Sequence, residues 1–270
     1  MKFPRTFVVV CLFALACGQA FSQAPVASSP QALNLAGQAL QSLAGGTALA
    51  DVRLQASAAY SSGSTQEAGT ATLIARGNTQ SLQTMSFTDG TGWQQVRNGY
   101  QGATVSASGT ATAMATHNCF IDANWFFPAL SLQSLATDPT LVAGLVGQQV
   151  YEGQQVYHLT FLHNLPGQTP GMETLIQTVS AMDLYLDAVT LRPVILDFNS
   201  HPDYDAYTNI PMEIRFGAYQ SFNGVWAPTR IQTYRNNMLI LDLTVTNALV
   251  NSGVAGSTFA LPAISAGGAQ

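Results

Sequence analysis

The loop from His201 to Asp205 brings one imidazole and two carboxylates, Asp203 and Asp205, within five residues. Imidazole nitrogen and carboxylate oxygen are common metal ligands, so this spacing could let one loop bind a metal ion. No oxygen-rich calcium-loop pattern follows these residues, and no further ligand cluster stands beside them. We therefore interpret the segment as a polar loop between two strands, and we expect no metal site.

The other chemically active side chains are scattered along the chain. His117, His158 and His163 belong to no catalytic motif, since HExxH, CxxC, GxSxG and P-loop patterns do not occur in the sequence. Nucleophilic catalysis needs a base within hydrogen-bond reach of its nucleophile, and the sequence pairs no such groups. Cys119 stands beside Phe120 in an apolar setting, which is typical of a buried, unreactive thiol. We expect a protein that is not an enzyme and uses no cofactor.

The aromatic cluster Trp125-Phe126-Phe127-Pro128 is the best candidate for a functional site. Aromatic rings offer a large apolar area with few rotatable bonds, so the cluster could close the mouth of a cavity and contact an apolar ligand. The alternative is that the same residues are ordinary core, which burial statistics favour. On the first interpretation, nine residues are assigned to a hydrophobic cavity and its lid: Trp125, Phe126, Phe127, Leu130, Met172, Leu175, Ile176, Phe216 and Leu241.

The elements that must position these residues are mostly β-strands. Beyond Asp183, strand-like runs follow one another, and Asn223-Gly224 marks a type I′ hairpin turn because both residues readily adopt positive φ. This turn pairs Met212–Phe222 with Val225–Arg235, and a second turn leads into Leu239–Thr246, where apolar residues alternate. The apolar face of such a sheet must be covered by a second sheet, by helices or by an apolar ligand.

Short strands also fill the earlier part of the chain, at the roughly ten-residue spacing of successive hairpins. The predicted strands are Val52–Tyr60, Ala68–Arg76, Gln80–Asp89, Gly92–Arg97, Leu141–Tyr151, Gln155–Leu162 and Val194–Phe198. We interpret Gly99–Ala115 as one weak strand and a loop, and Ala248–Pro262 as a short edge strand or extended tail. The total is about eleven antiparallel strands, which curl into a barrel or fold into a sandwich.

Three segments outside the predicted strands lack the alternating pattern of a strand. Ser29 can cap a helix that has Pro30 at its first position and that ends at Gly45-Gly46. Asn118–Thr137 is unusually apolar, and we predict one or two short helices kinked at its proline. Thr169–Met182 can form a short covering helix or a lid loop. The sequence thus predicts a mainly β protein with added helices, of the α+β class.

Residues 1–22 have the features of a secretory signal peptide: a positive end, an apolar core and the cleavage site Ala20-Phe21-Ser22. The expected location is therefore the periplasm. An alternative is that Ala14-Leu15-Ala16-Cys17 is a lipoprotein box, in which case Cys17 would be lipidated and would anchor the protein to a membrane. We expect residues 23–29 to be a flexible tether, residues 30–262 a single domain and residues 263–270 a disordered tail.

Composition excludes several classes of partner. Cleavage after Ser22 removes the only lysine and one of the eight arginines, which leaves seven arginines against fourteen acidic residues and a net charge of −7. This charge argues against nucleic acids and against anionic membrane surfaces as partners. Cys119 would be the only cysteine left, so no intrachain disulfide is expected. A chain of this size can bury a self-sufficient core, and we expect a monomer.

Several stretches of the sequence resemble the periplasmic lipoprotein-carrier superfamily, which includes the outer-membrane lipoprotein-sorting carriers. The matching stretches are residues 146–161, 184–196, 223–231 and 245–262. The resemblance implies a half-open antiparallel β-barrel of about eleven strands, closed by an N-terminal helix and short apolar helical segments around a cavity for acyl chains. It also implies an arginine that holds a lid closed, for which the candidates are Arg53, Arg76 and Arg97.

These features predict an exported carrier or binding protein for a hydrophobic ligand, a lipid or the acyl chain of a lipoprotein, in the cell envelope. Burial of an acyl chain contributes about 0.8 kcal/mol per CH₂, which supplies affinity without a charged anchor. The alternative is a structural or interaction module whose sheet is filled by its own side chains and whose edges engage another envelope protein. An internal cavity distinguishes the two.

Overall fold

Hairpin turns and helix caps divide the chain into three helices and thirteen strands in the computed structural model, which describes residues 27–264. The predicted signal peptide with Cys17, residues 23–26 of the predicted tether and the last six residues of the predicted tail lie outside that range. The helices are α1 (Pro30–Ala44), α2 (Pro128–Ser134) and α3 (Pro170–Val179). The strands are β1 (Asp51–Ser62), β2 (Thr65–Arg76), β3 (Gln80–Phe87), β4 (Gly92–Asn98), β5 (Gln101–Ser106), β6 (Ala111–Ala113), β7 (Leu141–Tyr151), β8 (Gln154–His163), β9 (Met182–Asp187), β10 (Pro193–Ser200), β11 (Ile210–Phe222), β12 (Val225–Arg235) and β13 (Met238–Val250).

All thirteen strands form one antiparallel sheet, in the order β6-β5-β4-β3-β2-β1-β13-β12-β11-β10-β9-β8-β7. Neighbouring strands in the sheet are also neighbours in the sequence, except at the centre, where β1 pairs with β13. In this pairing Val52 lies opposite Val250, and Tyr60 lies opposite Leu241. The sheet is open, with β6 and β7 at its two edges, which confirms the predicted α+β fold of half-open antiparallel type.

The strand count exceeds the predicted number, about eleven, and one of the additional strands went unpredicted because small residues obscured a hairpin. Residues 99–115 form two strands, β5 and β6, where we expected one weak strand and a loop. Gly109 reverses the chain between them with a φ of 83°, a conformation that glycine adopts without a steric cost. Val105 then pairs with Ala111 across the hairpin. A Gly/Ala/Ser/Thr-rich stretch carries too little apolar alternation to reveal this pairing.

The end of the sheet also differs from the prediction. The final segment, 248–262, was expected to be a short edge strand or extended tail, but β13 itself continues to Val250. Asn251 leaves the strand with a φ of 56°. Its side chain accepts a hydrogen bond from the N–H of Ala50 at 2.7 Å and donates one to the carbonyl of Ala48 at 2.9 Å. A short 3₁₀ turn, Gly256–Phe259, follows, and no further strand occurs between it and residue 264.

The two predicted hairpin turns that join β11, β12 and β13 are present. Asn223 and Gly224 have φ values of 51° and 86°, as a type I′ turn requires. Asn236 and Asn237, with φ values of 50° and 62°, make the next turn in the same way. Two-residue turns of this type match the twist of the flanking strands, so they set the register of β11, β12 and β13.

Helix α1 forms as its end signals predict. The Ser29 hydroxyl accepts a hydrogen bond from the N–H of Ala32 at 3.4 Å, Pro30 occupies the first position, and Gly45 ends the helix with a φ of 56°. The buried face consists of small residues and one leucine, which lets α1 lie close to β12, β7 and α2: Ala32, Ala36, Ala39, Leu43 and Ala44. The N–H of Ser29 also donates to the carbonyl of Ala143 at 2.7 Å, which ties the end of the predicted tether to the edge strand β7.

The other two helices each begin at a proline. Pro128 opens α2, where its missing N–H costs no hydrogen bond, so the predicted kink at this proline is wrong. The segment from Asn118 to Thr137 instead has one helix, preceded by a 3₁₀ turn at Thr116–Cys119. Thr169 caps α3, so the second apolar segment forms the helix and not the loop. Within residues 27–264, no helix is both long and apolar enough to cross a membrane.

Close approach of β2 and β3 makes Gly69 a sensitive position. Gly69 lies opposite Phe87, and a Cβ atom at Gly69 would collide with the carbonyl oxygen of Ser86 and lie 2.8 Å from the Cα of Phe87. Since backbone atoms of a paired strand cannot move aside locally, we expect Gly69→Ala to cost about 1–3 kcal/mol of unfolding free energy. Thermal unfolding followed by circular dichroism measures this.

The matched control is Gly37→Ala in the exposed face of α1, where a Cβ would meet nothing within 4 Å. Alanine is the better helix former, so this change should stabilise the protein by about 0.5–1 kcal/mol. A Gly69→Ala variant as stable as the parent protein would contradict the expectation and would mean that β2 and β3 can separate locally without cost.

Candidate functional site

A cavity of about 430 Å³ lies between the concave face of the sheet and the segment from Met114 to Phe126. Its walls come from strands of both halves of the sheet, β2 to β4 on one side and β10 to β13 on the other. The apolar part of the wall is formed by aliphatic and aromatic side chains: Leu73, Ile121, Trp125, Phe126, Phe198, Met212, Ile214, Ile231, Leu241 and Leu243. The interior is therefore not completely filled by the side chains of the protein.

Trp125 is the aromatic residue of the cavity wall with the most specific contacts. It is 4% exposed, and its indole Nε1–H donates to the sulfur of Met182 at 3.0 Å. Its ring also lies against Phe161, with the ring centroids 6.3 Å apart. These contacts fix the indole between the core and the cavity, so that the ring contributes to both.

The structure separates the nine residues that we assigned to a cavity and lid. Trp125, Phe126 and Leu241 line the cavity. Phe127, Leu130 and Phe216 are buried in the main hydrophobic core but do not line the cavity. The remaining three residues, Met172, Leu175 and Ile176, lie on α3, which contacts β8 and the Thr116–Cys119 turn. Met172 is 44% exposed, Leu175 is partly buried and Ile176 is buried. Helix α3 thus does not contribute to the cavity wall.

Arg97 holds the segment that covers the cavity. It lies on β4, is 6% exposed and lines the cavity. Its guanidinium donates to three backbone carbonyls of the covering segment, those of Cys119 at 2.5 Å, Ile121 at 2.9 Å and Asn118 at 3.3 Å. Burial lowers the pKa of Arg97 from its ordinary value. Of the three arginines that the resemblance left open, Arg97 alone is buried, whereas Arg53 is half-buried and Arg76 is exposed.

The polar part of the cavity wall was not predicted. Gln83, Gln95 and Arg97 line the cavity from β3 and β4, and Val96, between two of them, packs in a separate cluster on the other face of the sheet. Side chains alternate between the two faces of a strand. The sequence signal for a polar cavity wall was therefore the presence of polar residues at inward positions of β3 and β4, with an apolar residue at an outward position. A sheet filled only by its own core would place apolar residues at such positions.

His201 also lines the cavity, and its loop is tied to the covering segment. The Asn118 side chain donates to the His201 carbonyl at 2.7 Å and accepts from the His201 N–H at 2.8 Å. His117 Nε2 lies 3.0 Å from the carbonyl oxygen of Pro202. The covering segment is therefore attached on one side to β4, through Arg97, and on the other to the end of β10.

The loop with the imidazole and two carboxylates does not bring them together. Asp205 accepts hydrogen bonds from the N–H of Tyr207 at 2.8 Å and the hydroxyl of Thr208 at 2.6 Å, the latter being the main cause of its lowered pKa. Asp203 is exposed, and the His201 ring is buried. Among the described residues, no group of three or more His, Cys, Asp or Glu side chains could hold a metal ion.

Two buried titratable side chains belong to the covering segment, those of Asp122 and Cys119. Asp122 and His163 are each almost fully buried, with Asp122 Oδ1 3.4 Å from His163 Nε2, and burial raises the pKa of Asp122. Cys119 is 1% exposed, and burial likewise raises the pKa of its thiol. A thiol that is neutral and inaccessible is a poor nucleophile, in agreement with the interpretation of Cys119 as a small core residue.

A row of three carboxylates crosses another part of the sheet. Asp183, Asp197 and Glu213 lie opposite one another on β9, β10 and β11. Two of them have cationic or hydrogen-bonding partners: His158 Nε2 lies 2.6 Å from Asp183, and Arg215 pairs with Glu213. Burial, together with the charges of Glu213 and Asp183, raises the pKa of Asp197 from 3.8 to about 6. None of these residues lines the cavity.

This raised pKa predicts a pH-dependent stability. A carboxyl whose pKa is higher in the folded state than in the unfolded chain favours folding at low pH, and this contribution is lost as the pH rises through about 6. Asp197→Asn should therefore stabilise the protein at pH 7, by on the order of 1 kcal/mol because solvent partly screens the row, and should have little effect near pH 4.

Urea unfolding at the two pH values measures the difference between the Asp197→Asn variant and the parent protein. The control is Asp203→Asn, which removes an exposed carboxylate of a loop and should change stability at neither pH. A gain that is equal at pH 4 and pH 7 would contradict the assignment, since it could not arise from removal of the charge.

Comparison with known proteins finds similarity in structure and none in sequence. No protein-family model matches the sequence, and no curated protein matches it. Among solved structures, a LolA superfamily protein from Nitrosomonas europaea matches with a TM-score of 0.54 and 11% identity, covering 85% of this chain and 97% of that chain. An outer membrane lipoprotein-sorting protein domain from Vibrio parahaemolyticus matches with a TM-score of 0.53 and 10% identity, covering 85% and 96%.

A DUF1329 family protein from Desulfovibrio piger gives a third match, with a TM-score of 0.52, 13% identity, and coverage of 85% of this chain and 96% of that chain. The matches extend over nearly the whole length of each solved structure. They confirm the resemblance to the lipoprotein-carrier superfamily at the level of the fold. The chain is thus similar to LolA-superfamily structures, with an open antiparallel sheet around a partly apolar cavity.

Proposed function

We propose that this protein binds a hydrophobic ligand, a lipid or the acyl chain of a lipoprotein, and carries or retains it in the cell envelope without chemical conversion. The observation that carries the proposal is the cavity of about 430 Å³ on the concave face of the sheet, with its wall of aromatic and aliphatic side chains. An interaction module filled by its own side chains has no need of such a space.

The size and lining of the cavity fit one acyl chain. Its volume lies in the lower part of the range of roughly 300–1,000 Å³ that is usual for small-molecule sites. Each buried CH₂ contributes about 0.8 kcal/mol, so an acyl chain lying along Trp125, Phe126 and Leu241 would gain enough free energy to bind without an ionic contact. The inward-facing residues of several strands would contact the chain from both halves of the sheet.

The covering segment would act as the lid of this site. It contributes Met114, Ile121, Trp125 and Phe126 to the cavity wall, and three of its carbonyls accept hydrogen bonds from Arg97. The resemblance to lipoprotein carriers implies an arginine that holds a lid closed, and the contacts of Arg97 suit this role. Ligand entry would then require these hydrogen bonds to break or to lengthen.

Export supports the envelope as the place of action. Residues 1–22 have the pattern of a secretory signal peptide, and the Vibrio domain with the same fold is described as a lipoprotein-sorting domain. Lipidation at Cys17 would keep the protein on a membrane, whereas cleavage after Ser22 would release it. Either form would present the same cavity.

The test is native mass spectrometry of the mature protein purified from its own envelope fraction, followed by solvent extraction and lipid analysis. We expect a stoichiometric lipid or acylated peptide that dissociates from the protein on activation in the gas phase. A clean apo mass, together with no uptake of added single-chain lipid by the purified protein, would refute the proposal and favour the interaction module. The N-terminal mass from the same experiment reports cleavage or lipidation.

A further inference from the structure

One side of the cavity is polar, and its polar groups are connected. Arg97 donates to the Asn118 carbonyl at 3.3 Å, and the Asn118 side chain makes two hydrogen bonds to the backbone of His201. All three residues line the cavity, as does Asp122. The cavity therefore has an apolar part and a continuous polar part, as a site for a ligand with an apolar chain and a polar head group would have.

The tautomer of His201 follows from its contacts. Its Nδ1 lies 3.1 Å from the carbonyl oxygen of Thr208, and since a carbonyl only accepts, Nδ1 carries the proton. Burial lowers the pKa of His201, and the His117 ring, 5.9 Å away edge to face, acts in the same direction, while the hydrogen bond to Thr208 and the charge of Asp205 oppose this only in part. The ring is therefore neutral, and its Nε2 presents a lone pair, which makes it a hydrogen-bond acceptor.

This acceptor has no partner within the described part of the chain. Nε2 of His201 is buried and makes no hydrogen bond, and His201 as a whole is 4% exposed. Five buried side-chain atoms of residues 27–264 lack a partner, and three of them belong to residues that line this one cavity: Arg97 Nε, Asp122 Oδ2 and His201 Nε2. Unpaired buried polar atoms are rare in native proteins, and their concentration at one cavity indicates a ligand that pairs with them.

We propose that Nε2 of His201 accepts a hydrogen bond from the head group of the ligand, so that the cavity selects a single-chain amphiphile with a neutral hydroxyl or N–H donor at its polar end. This inference rests on the proposed function and concerns the specificity of the same site. A carboxylate head group offers only acceptors, so it could accept from Nε of Arg97 but would leave the lone pair of His201 Nε2 without a donor. Cationic head groups would meet the guanidinium of Arg97.

The test compares two isomeric probes, of which only one has a donor, 1-dodecanol and methyl undecyl ether. Each displaces the fluorescent apolar dye N-phenyl-1-naphthylamine from the delipidated protein, and the ratio of the two apparent Kd values measures head-group selection. We expect dodecanol to bind the parent protein about five- to tenfold more tightly, the effect of one net hydrogen bond. The ether has the same number of carbon atoms, so differences in apolar burial largely cancel.

Two substitutions at His201 separate head-group binding from loop structure. In His201→Asn the amide nitrogen can still donate to the Thr208 carbonyl, but no acceptor reaches the position of Nε2. In His201→Gln the longer side chain can place its carbonyl oxygen near that position, while the contact with Thr208 is lost. We expect His201→Asn to lose the preference for dodecanol and His201→Gln to keep most of it, where the preference is the ratio of the two apparent Kd values within each variant.

Each outcome has a distinct meaning. Equal affinity of the parent protein for the two probes would overturn the inference but leave the proposed function in place, whereas binding of neither probe would refute the proposed function itself. Equal loss of preference in both variants, accompanied by weaker ether binding, would mean that His201 only shapes the loop. Loss of the preference for dodecanol in His201→Asn, with the preference kept in His201→Gln, would support the inference.

Discussion

Replacing Phe127 by alanine is expected to lower the unfolding free energy by about 3–5 kcal/mol while leaving ligand affinity nearly unchanged. The Phe127 side chain is 1% exposed, belongs to the main core and does not line the cavity. Removal of its ring would leave a void that the surrounding core cannot fill. Urea unfolding gives the stability, and displacement of a bound fluorescent long-chain alcohol analogue gives the affinity.

The matched variant is Trp125→Ala, two residues earlier in the same segment. The Trp125 ring faces the cavity on one side, so it has fewer protein contacts to lose there, and its removal deletes part of the ligand-binding surface. We expect a smaller loss of stability than for Phe127→Ala and a rise of about tenfold or more in Kd for the analogue. If the two variants lose stability and affinity in the same proportion, both residues are plain core and the cavity does not bind the ligand.

Replacing Arg97 by methionine is expected to free the covering segment from the sheet. The methionine fills a similar volume but leaves the carbonyls of Asn118, Cys119 and Ile121 without their donor. Each hydrogen bond to a charged group contributes about 1.5–3 kcal/mol to stability. Part of this loss is offset because the variant no longer buries a charge, so we expect the unfolding free energy to fall by about 2 kcal/mol. Compared with this change in global stability, we expect a larger effect on how often the covering segment separates locally from the sheet.

Hydrogen exchange measures that opening directly. Amides of residues 116–123 should exchange at least about tenfold faster in Arg97→Met, while those of β11 to β13 should change little. Ligand dissociation should accelerate by a similar factor. Arg97→Lys keeps the charge but cannot reach three carbonyls at once, so it should not restore protection.

The control for this experiment is Arg76→Met, because Arg76 is an exposed arginine at the end of β2 and was one of the candidates for the lid arginine. It should leave exchange in residues 116–123 and ligand dissociation unchanged. Uniformly faster exchange across the whole sheet in Arg97→Met would contradict the role of a lid contact, since it would indicate global destabilisation.

The features that the sequence predicted well are those with local causes. Asn223-Gly224 can adopt positive φ at both positions, so the hairpin follows from two residues. The cap at Ser29 and the stop at Gly45 define α1 in the same way. Pro128 illustrates the limit, because the same residue can kink a helix or begin one, and only the neighbouring packing decides between the two.

The site could be predicted only in part, because a cavity wall and a core have the same sequence pattern. Phe126 and Phe127 are adjacent apolar residues in one segment, yet only Phe126 lines the cavity. Arg97 could be named only as one of three candidates, since its selection depends on the contact between β4 and a segment that begins about twenty residues later. The pairing of β1 with β13 is more distant still and has no local signature.

That central pairing has a consequence for how the binding site is made. β1 and β13 are nearly two hundred residues apart in sequence, and the hydrogen bond from Ala50 to Asn251 spans 201 positions. Contacts of such high contact order form slowly, because a long loop must close before they stabilise anything. The two cavity walls, β2 to β4 and β10 to β13, are joined in the sheet only across this pairing. A nascent or truncated chain that lacks β13 therefore has two separate groups of strands and no shared cavity between them, so a ligand that contacts both walls requires a chain that has formed β13.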